Sequence, residues 1–158
     1  MSHQHSAEFK KNRSRKIEIG DVFMLPLIDG RYAYGQVIAR WRPKVICVAV
    51  FDHLANDLAT TFPDVIGSVM SLPSVFVTEI SGGRWPKIGN LPPIVDSRLA
   101  DFAAFAQTDY VGAKIYTGSI IEALVNAFYG LADWEPYRAS PGLLRSLLCH
   151  SFDEKSIQ

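Results

Sequence analysis

Two strand-like runs joined by Asp29-Gly30 constrain this chain more than any other feature. The first, Ile17 to Leu27, is rich in β-branched and large apolar residues, the composition of a strand. The second, Arg31 to Ala39, alternates. Tyr32, Tyr34, Gln36 and Ile38 share one face; Ala33, Gly35, Val37 and Ala39 share the other. Asp-Gly between such runs signals a tight two-residue hairpin turn, because both residues tolerate positive φ. The second face is small throughout. Small side chains suit the inside of a curved sheet, and Gly35 permits a bend or bulge. After Trp41-Arg42-Pro43 a third run, Lys44 to Phe51, is apolar on both faces, so it is predicted to be buried on both.

The remaining elements are shorter. Leu54, Leu58 and Phe62 are spaced by four, which predicts a short helix over Asp52 to Thr61. Val75 to Ile80 reads as a strand. Glycines and prolines between Ser81 and Pro93 mark turns. Arg98 to Gln107 reads as a short helix and Val111 to Tyr116 as a last strand. Ser119 and Glu122 have the spacing of a capping box. Behind them Ile120, Ile121, Leu124, Val125, Phe128 and Tyr129 form one helical stripe, ended by Gly130. Ser140-Pro141 then reads as an N-cap with proline in the first turn, and Leu143, Leu144, Leu147 and Leu148 repeat the stripe. Strands come first and helices last, without βαβ alternation. The predicted fold is α+β: a small, curved, mostly antiparallel, SH3-like barrel sheet packed by C-terminal helices.

Composition places this in a single ordinary globular domain. The chain has 158 residues, 48% of them hydrophobic and 20% charged, enough to bury a core without staples. Sixteen basic residues balance sixteen acidic ones, which disfavours non-specific coating of nucleic acid. The balance is uneven along the chain: residues 1–16 sum to +4 and the rest to −4. Residues 1–15 are expected to be a mobile basic tail, and 16–158 one domain. Val45 to Phe51, the longest apolar stretch, is too short to span a bilayer. The N-terminus has no apolar core of a secretory signal, so a cytoplasmic location is expected. Two cysteines, Cys47 and Cys149, supply neither a disulfide framework nor a cysteine-rich zinc site.

No catalytic constellation emerges, and no metal or cofactor is expected. Phosphate-binding loops, H-E-x-x-H and C-x-x-C patterns are absent from the sequence. His53 follows Asp52, a pairing that can tune an imidazole towards neutral pH; the alternative is a solvated strand end. Cys149-His150 has the residue types of a nucleophile and base. Helix neighbours point about 100° apart, however, and Cys149 beside the leucine stripe reads as structural. Aromatics are the more informative class. Tyr32 and Tyr34 share a face, and Trp41 and Trp85 each sit by arginine and proline. Such residues either anchor binding surfaces or seal a core.

Several of these residues carry a resemblance. Gly20-Asp21-Val22-Phe23, Leu25-Pro26-Leu27, Asp29-Gly30-Arg31-Tyr32-Ala33-Tyr34-Gly35 and Val37-Ile38 resemble the opening of the immunity protein 26 family of bacterial polymorphic toxin systems. Trp85-Pro86-Lys87-Ile88-Gly89-Asn90 with Pro92 is similar to that family's second signature. The two matches span about residues 16–92; the C-terminal third matches no pattern we can name. The resemblance implies a non-enzymatic protein that binds a cognate toxin domain, often a nuclease, and neutralises it in the cytoplasm. The expected partner-binding residues are Tyr32, Tyr34, Trp85, Lys87 and Asn90. Two weaker resemblances imply other functions. Arg42-Pro43 before an aliphatic strand is similar to the endoribonuclease toxins of the PemK/MazF type. Asp29-Gly30-Arg31-Tyr32-Ala33-Tyr34 is similar to part of a Tudor-type aromatic cage, which binds cations.

Overall fold

The structure, a computed structural model, describes residues 16–59, 61–63 and 68–149. The basic tail and His150 lie outside the described residues. Six strands form one sheet: β1 (Asp21–Pro26), β2 (Tyr32–Arg42), β3 (Val45–Ala55), β4 (Val69–Ser71), β5 (Ser74–Phe76) and β6 (Lys87–Asn90). Their order is β4-β3-β2-β1-β6, with β5 also on β3. Every strand pairing is antiparallel. The α+β expectation holds, but β4 and β6 are not paired with each other among the described residues, so the sheet is open.

The β1–β2 hairpin forms where the pattern places it, with a longer turn. The Leu27 N–H donates to the Arg31 carbonyl (2.8 Å) and the Gly30 N–H to the Leu27 carbonyl (3.1 Å). Gly30 has φ 93°, whereas Asp29 stays out of the left-handed region. The loop is therefore Ile28-Asp29-Gly30, a three-residue connection with glycine at the left-handed position. Asp29 helps by its side chain. Its carboxylate accepts the Arg31 backbone N–H at 3.0 Å and Nε at 2.8 Å. The backbone bond is the main cause that holds this carboxyl below the usual range.

Both faces of the sheet are covered, as the double-sided apolarity of the third run requires. Ile46, Val48 and Val50 pack in one layer with Phe23, Leu25 and Val37; Cys47, Ala49 and Phe51 pack in the other with Met24, Tyr34 and Ile38. Ala39 joins this second layer rather than staying with Ala33 and Val37. A bulge between Val37 and Ala39 accounts for the switch, since one extra residue reverses the alternation. The small face of β2 also has a physical reason. Phe23 lies over Gly35 so closely that a Cβ there would sit 2.3 Å from Cζ of its ring. Phe23 in turn stacks on Trp85, with ring centroids 5.3 Å apart and planes 11° from parallel.

Helices cover the first layer. α1 is the single turn Thr78–Ser81, α2 is Gly118–Phe128, and α3 is the single turn Leu143–Ser146. Ile121 and Val125 of α2 reach the core under the sheet. α2 ends as its stripe predicts: the Leu131 N–H returns to the Asn126 carbonyl (2.8 Å) and the Gly130 N–H to Ala127 (3.0 Å), the paired bonds of a Schellman motif. Its start differs. The N-cap is Thr117 rather than Ser119, without a side-chain cap bond; its hydroxyl lies 3.0 Å from that of Ser119, and the Glu122 carboxylate is held by Arg84 and Trp85.

Other short elements yield to the sheet. The helix predicted over 52–61 is absent from its first residues, because β3 runs on to Ala55, pairing Leu54 with Ala33 and Ala55 with Tyr32. Of the strand predicted over 75–80, the part beyond Phe76 turns into α1. Residues 98–107 form 3-10 turns, Ser97–Leu99 and Asp101–Thr108, rather than an α-helix. Of the predicted last strand only Tyr116 bridges the sheet, parallel to Val75. Ser140-Pro141 does not start a long helix. α3 is capped at Gly142, whose N–H is taken by Glu135 Oε1 at 3.0 Å. It then stops because Leu148 and Cys149 reach the β4 edge. The Cys149 N–H donates to Met70 (2.7 Å) and the Ser71 hydroxyl to Leu147 (2.6 Å).

Candidate partner-binding surface

The edge formed by β1 and β6 is fixed by a buried polar network. Asp21 opens β1 and is only 2% exposed. Its carboxylate accepts the Glu18 N–H at 2.8 Å and Asn90 Nδ2 at 2.9 Å, and it pairs with Lys87 Nζ at 3.4 Å. Lys87 also donates to the Lys16 carbonyl, and Asn90 to that of Ile19. Beside them Gln36 is fully buried. Its Nε2 donates to the carbonyls of Leu91 (3.0 Å), Pro92 (3.2 Å) and Gly20 (3.3 Å), and its Oε1 accepts the Ile94 N–H (2.9 Å). Buried charges and amides are tolerable only when satisfied in this way. The network ties residues 16–21 and 87–94 to the sheet. Within this tied frame three apolar side chains face water: Ile19 (51% exposed), Leu91 (38%) and Ile94 (48%).

The five residues expected to bind a partner do not converge on one surface. Trp85 is fully buried, stacked on Phe23, with its indole N–H on Glu122 Oε2 at 2.8 Å. It offers a partner no surface. Tyr34 is likewise buried, edge-on to His53 and Phe62. Lys87 and Asn90 do come together, in the Asp21 network. Tyr32 is half-buried and lies opposite Pro26, while Asn90 lies opposite Asp21. Tyr32 and Asn90 therefore mark opposite ends of β1, roughly 17 Å apart at strand rise.

The residues weighed for catalysis are also separated. Asp52 and His53 are strand neighbours, so they project to opposite faces. Asp52 accepts the Tyr129 hydroxyl at 2.7 Å, whereas His53 meets the Tyr34 ring. Burial first, then this hydrogen bond and the Asp52 charge, push the Tyr129 phenol well above its ordinary range. Arg84 pairs with Glu122 at 2.6 Å, and that hydrogen bond is the main cause raising the guanidinium pKa. The partner of Cys149 in the proposed pair, His150, lies outside the described residues. Among the described residues no group of three His, Cys, Asp or Glu side chains is placed to hold a metal ion.

Residue-type reasoning missed Asp21, Gln36 and the three exposed apolar residues. Gln36 carried the clearest signal, a lone amide on a strand of apolar and aromatic residues.

The fold and this edge define an open-sheet α+β scaffold that carries three exposed apolar side chains on a hydrogen-bonded backbone frame. The family model described as immunity protein 26 matches residues 18–114, and the chain belongs to that family. The matched region takes in the hairpin, the Asp21–Lys87–Asn90 network and all three exposed apolar residues. No curated protein and no solved structure matches the chain.

Proposed function

We propose that this protein is a non-enzymatic immunity protein that binds a cognate toxin domain, a nuclease among the candidates, and neutralises it in the bacterial cytoplasm. The observation that carries the reading is the family match over residues 18–114. Two further features support it. No helix among the described residues is long and apolar enough to cross a membrane. Residues 17–158 carry a net charge of −4, and opposite charge would speed encounter with a basic partner. The proposed interface is the fixed edge: Asn90 and Lys87 with Ile19, Leu91 and Ile94. Apolar side chains held rigid at a surface bind with little loss of entropy. Of the other residues expected to bind, Tyr32 sits at the far end of β1, and Tyr34 and Trp85 are buried.

The test is growth rescue. Toxin domains from the source bacterium are expressed singly in a susceptible host, with and without this protein. Rescue from one domain and not the others is expected, together with a stable complex of the purified pair. Ile94→Asp should weaken that complex at least about tenfold, the scale of a hot spot, while melting as the parent does. Val111→Asp, at a site 74% exposed and outside the edge, should not. Rescue from none of the domains would overturn the reading. Normal binding by a folded Ile94→Asp variant would move the interface elsewhere.

A further inference from the structure

The corner between β4 and β5 opens on a cleft of about 770 Å³, well within the range of small-molecule sites. Four separate pieces of chain build it: the Leu72-Pro73-Ser74 corner, the 3-10 segment with Phe102 and Phe105, the stretch with Gly112, Lys114 and Tyr116, and Leu147-Leu148. It lies outside the network at the β1–β6 edge.

The lining states what chemistry would fit. Lys114 is the one charged side chain among the described lining residues, and none of those residues is a carboxylate. Lys114 is exposed and is in none of the ion pairs of the described residues. Among the described residues the cleft therefore presents a positive charge with no ion-pair partner over an apolar wall, which complements an anion carrying an apolar body. The hydroxyls add a second observation. Those of Ser71 and Ser146 are committed to the carbonyls of Leu147 and Leu143. Ser74 also lines the cleft and is only 3% exposed, yet its hydroxyl has no hydrogen-bond partner among the described residues. Buried polar groups are normally satisfied, and an exception calls for a missing partner.

We propose that this cleft binds a small amphipathic carboxylate. The carboxylate pairs with Lys114, the apolar body packs on Phe102, Phe105 and Leu147, and a ligand oxygen meets the Ser74 hydroxyl. The site is independent of toxin binding and stands or falls separately from it.

The test is an amide-resolved NMR titration of the full chain with 1-naphthoate, and with 1-naphthamide as the uncharged isostere. Saturable shifts confined to residues around Ser74, Phe102, Phe105 and Lys114 are expected for naphthoate, with weaker binding of the amide. Lys114→Met should weaken naphthoate about fivefold, the upper scale of an exposed ion pair. Ser74→Ala should melt no lower than the parent, since it removes an unsatisfied buried group, and should also weaken naphthoate. Absence of saturable shifts up to the solubility of the ligand overturns the site. Equal affinity for naphthoate and naphthamide, or no change in Lys114→Met, overturns the assignment to a carboxylate.

Discussion

Trp85→Ala is the most decisive perturbation of this fold. The indole is fully buried and spans two elements, lying on Phe23 of β1 and donating to Glu122 of α2. A buried tryptophan removes roughly 150–250 Å² from water, or ~4–6 kcal/mol at about 25 cal/mol per Å². Alanine recovers part of that, while the cavity and the stranded Glu122 carboxylate add to the loss. Glu122 keeps Arg84, which limits the second contribution. The balance is about 4 kcal/mol, near the middle of the range for aromatic truncations. For a chain of this length that lowers the melting temperature by about 8–16 °C. Trp85→Phe keeps the ring over Phe23 and loses the indole N–H, so about 2 kcal/mol is expected. Urea denaturation followed by circular dichroism, with a thermal melt beside it, measures both. If Trp85→Ala melts within about 3 °C of the parent, the argument from burial is refuted. Any effect on the proposed toxin neutralisation should likewise vanish at temperatures where the variant is fully folded; persistent loss in a folded variant would place Trp85 in the interface.

Other positions follow the same reasoning. Gly35→Ala drives a Cβ into the Phe23 ring and should cost about 2 kcal/mol by overpacking, measured by the same urea titration. Gln36→Leu keeps the bulk but strands the Ile94 N–H and removes the donor to the Leu91 and Pro92 carbonyls, while the Gly20 carbonyl keeps the Leu91 N–H; a loss of about 2 kcal/mol and faster hydrogen exchange at Ile94 are expected, and unchanged exchange would count against the network. Tyr129 has its pKa raised in the fold, so the folded state favours the neutral phenol. That stabilisation is whole below the unfolded value near pH 10 and is lost as pH rises beyond it. Urea midpoints taken from about pH 9 to 11.5 should fall in the parent and fall less in Tyr129→Phe; identical slopes would refute the linkage.

Much of the architecture was legible in local pattern. The Asp29-Gly30 hairpin, the doubly buried third strand and the helix ended by Gly130 all follow from alternation, period and turn chemistry within a short window. The candidate surface was legible only in part. Lys87 and Asn90 stood out as polar residues in a signature, but their partner Asp21 is distant in sequence, and no spacing rule connects them. Exposed Ile19, Leu91 and Ile94 look like ordinary apolar residues until burial is known.

By itself, then, the sequence determined which segments could become strands and helices, because φ/ψ preference and hydrophobic period are properties of neighbouring residues. Tertiary structure decided how far each one runs and what each side chain is for. β3 continued through residues spaced for a helix because β2 offered them a ladder. α3 stopped after one turn because the β4 edge held Cys149 and Leu147. Trp85 went to the core because Phe23 and Glu122 converge there from β1 and α2. A side chain's role depends on the groups that meet it in space, and those come from parts of the chain that local pattern does not connect.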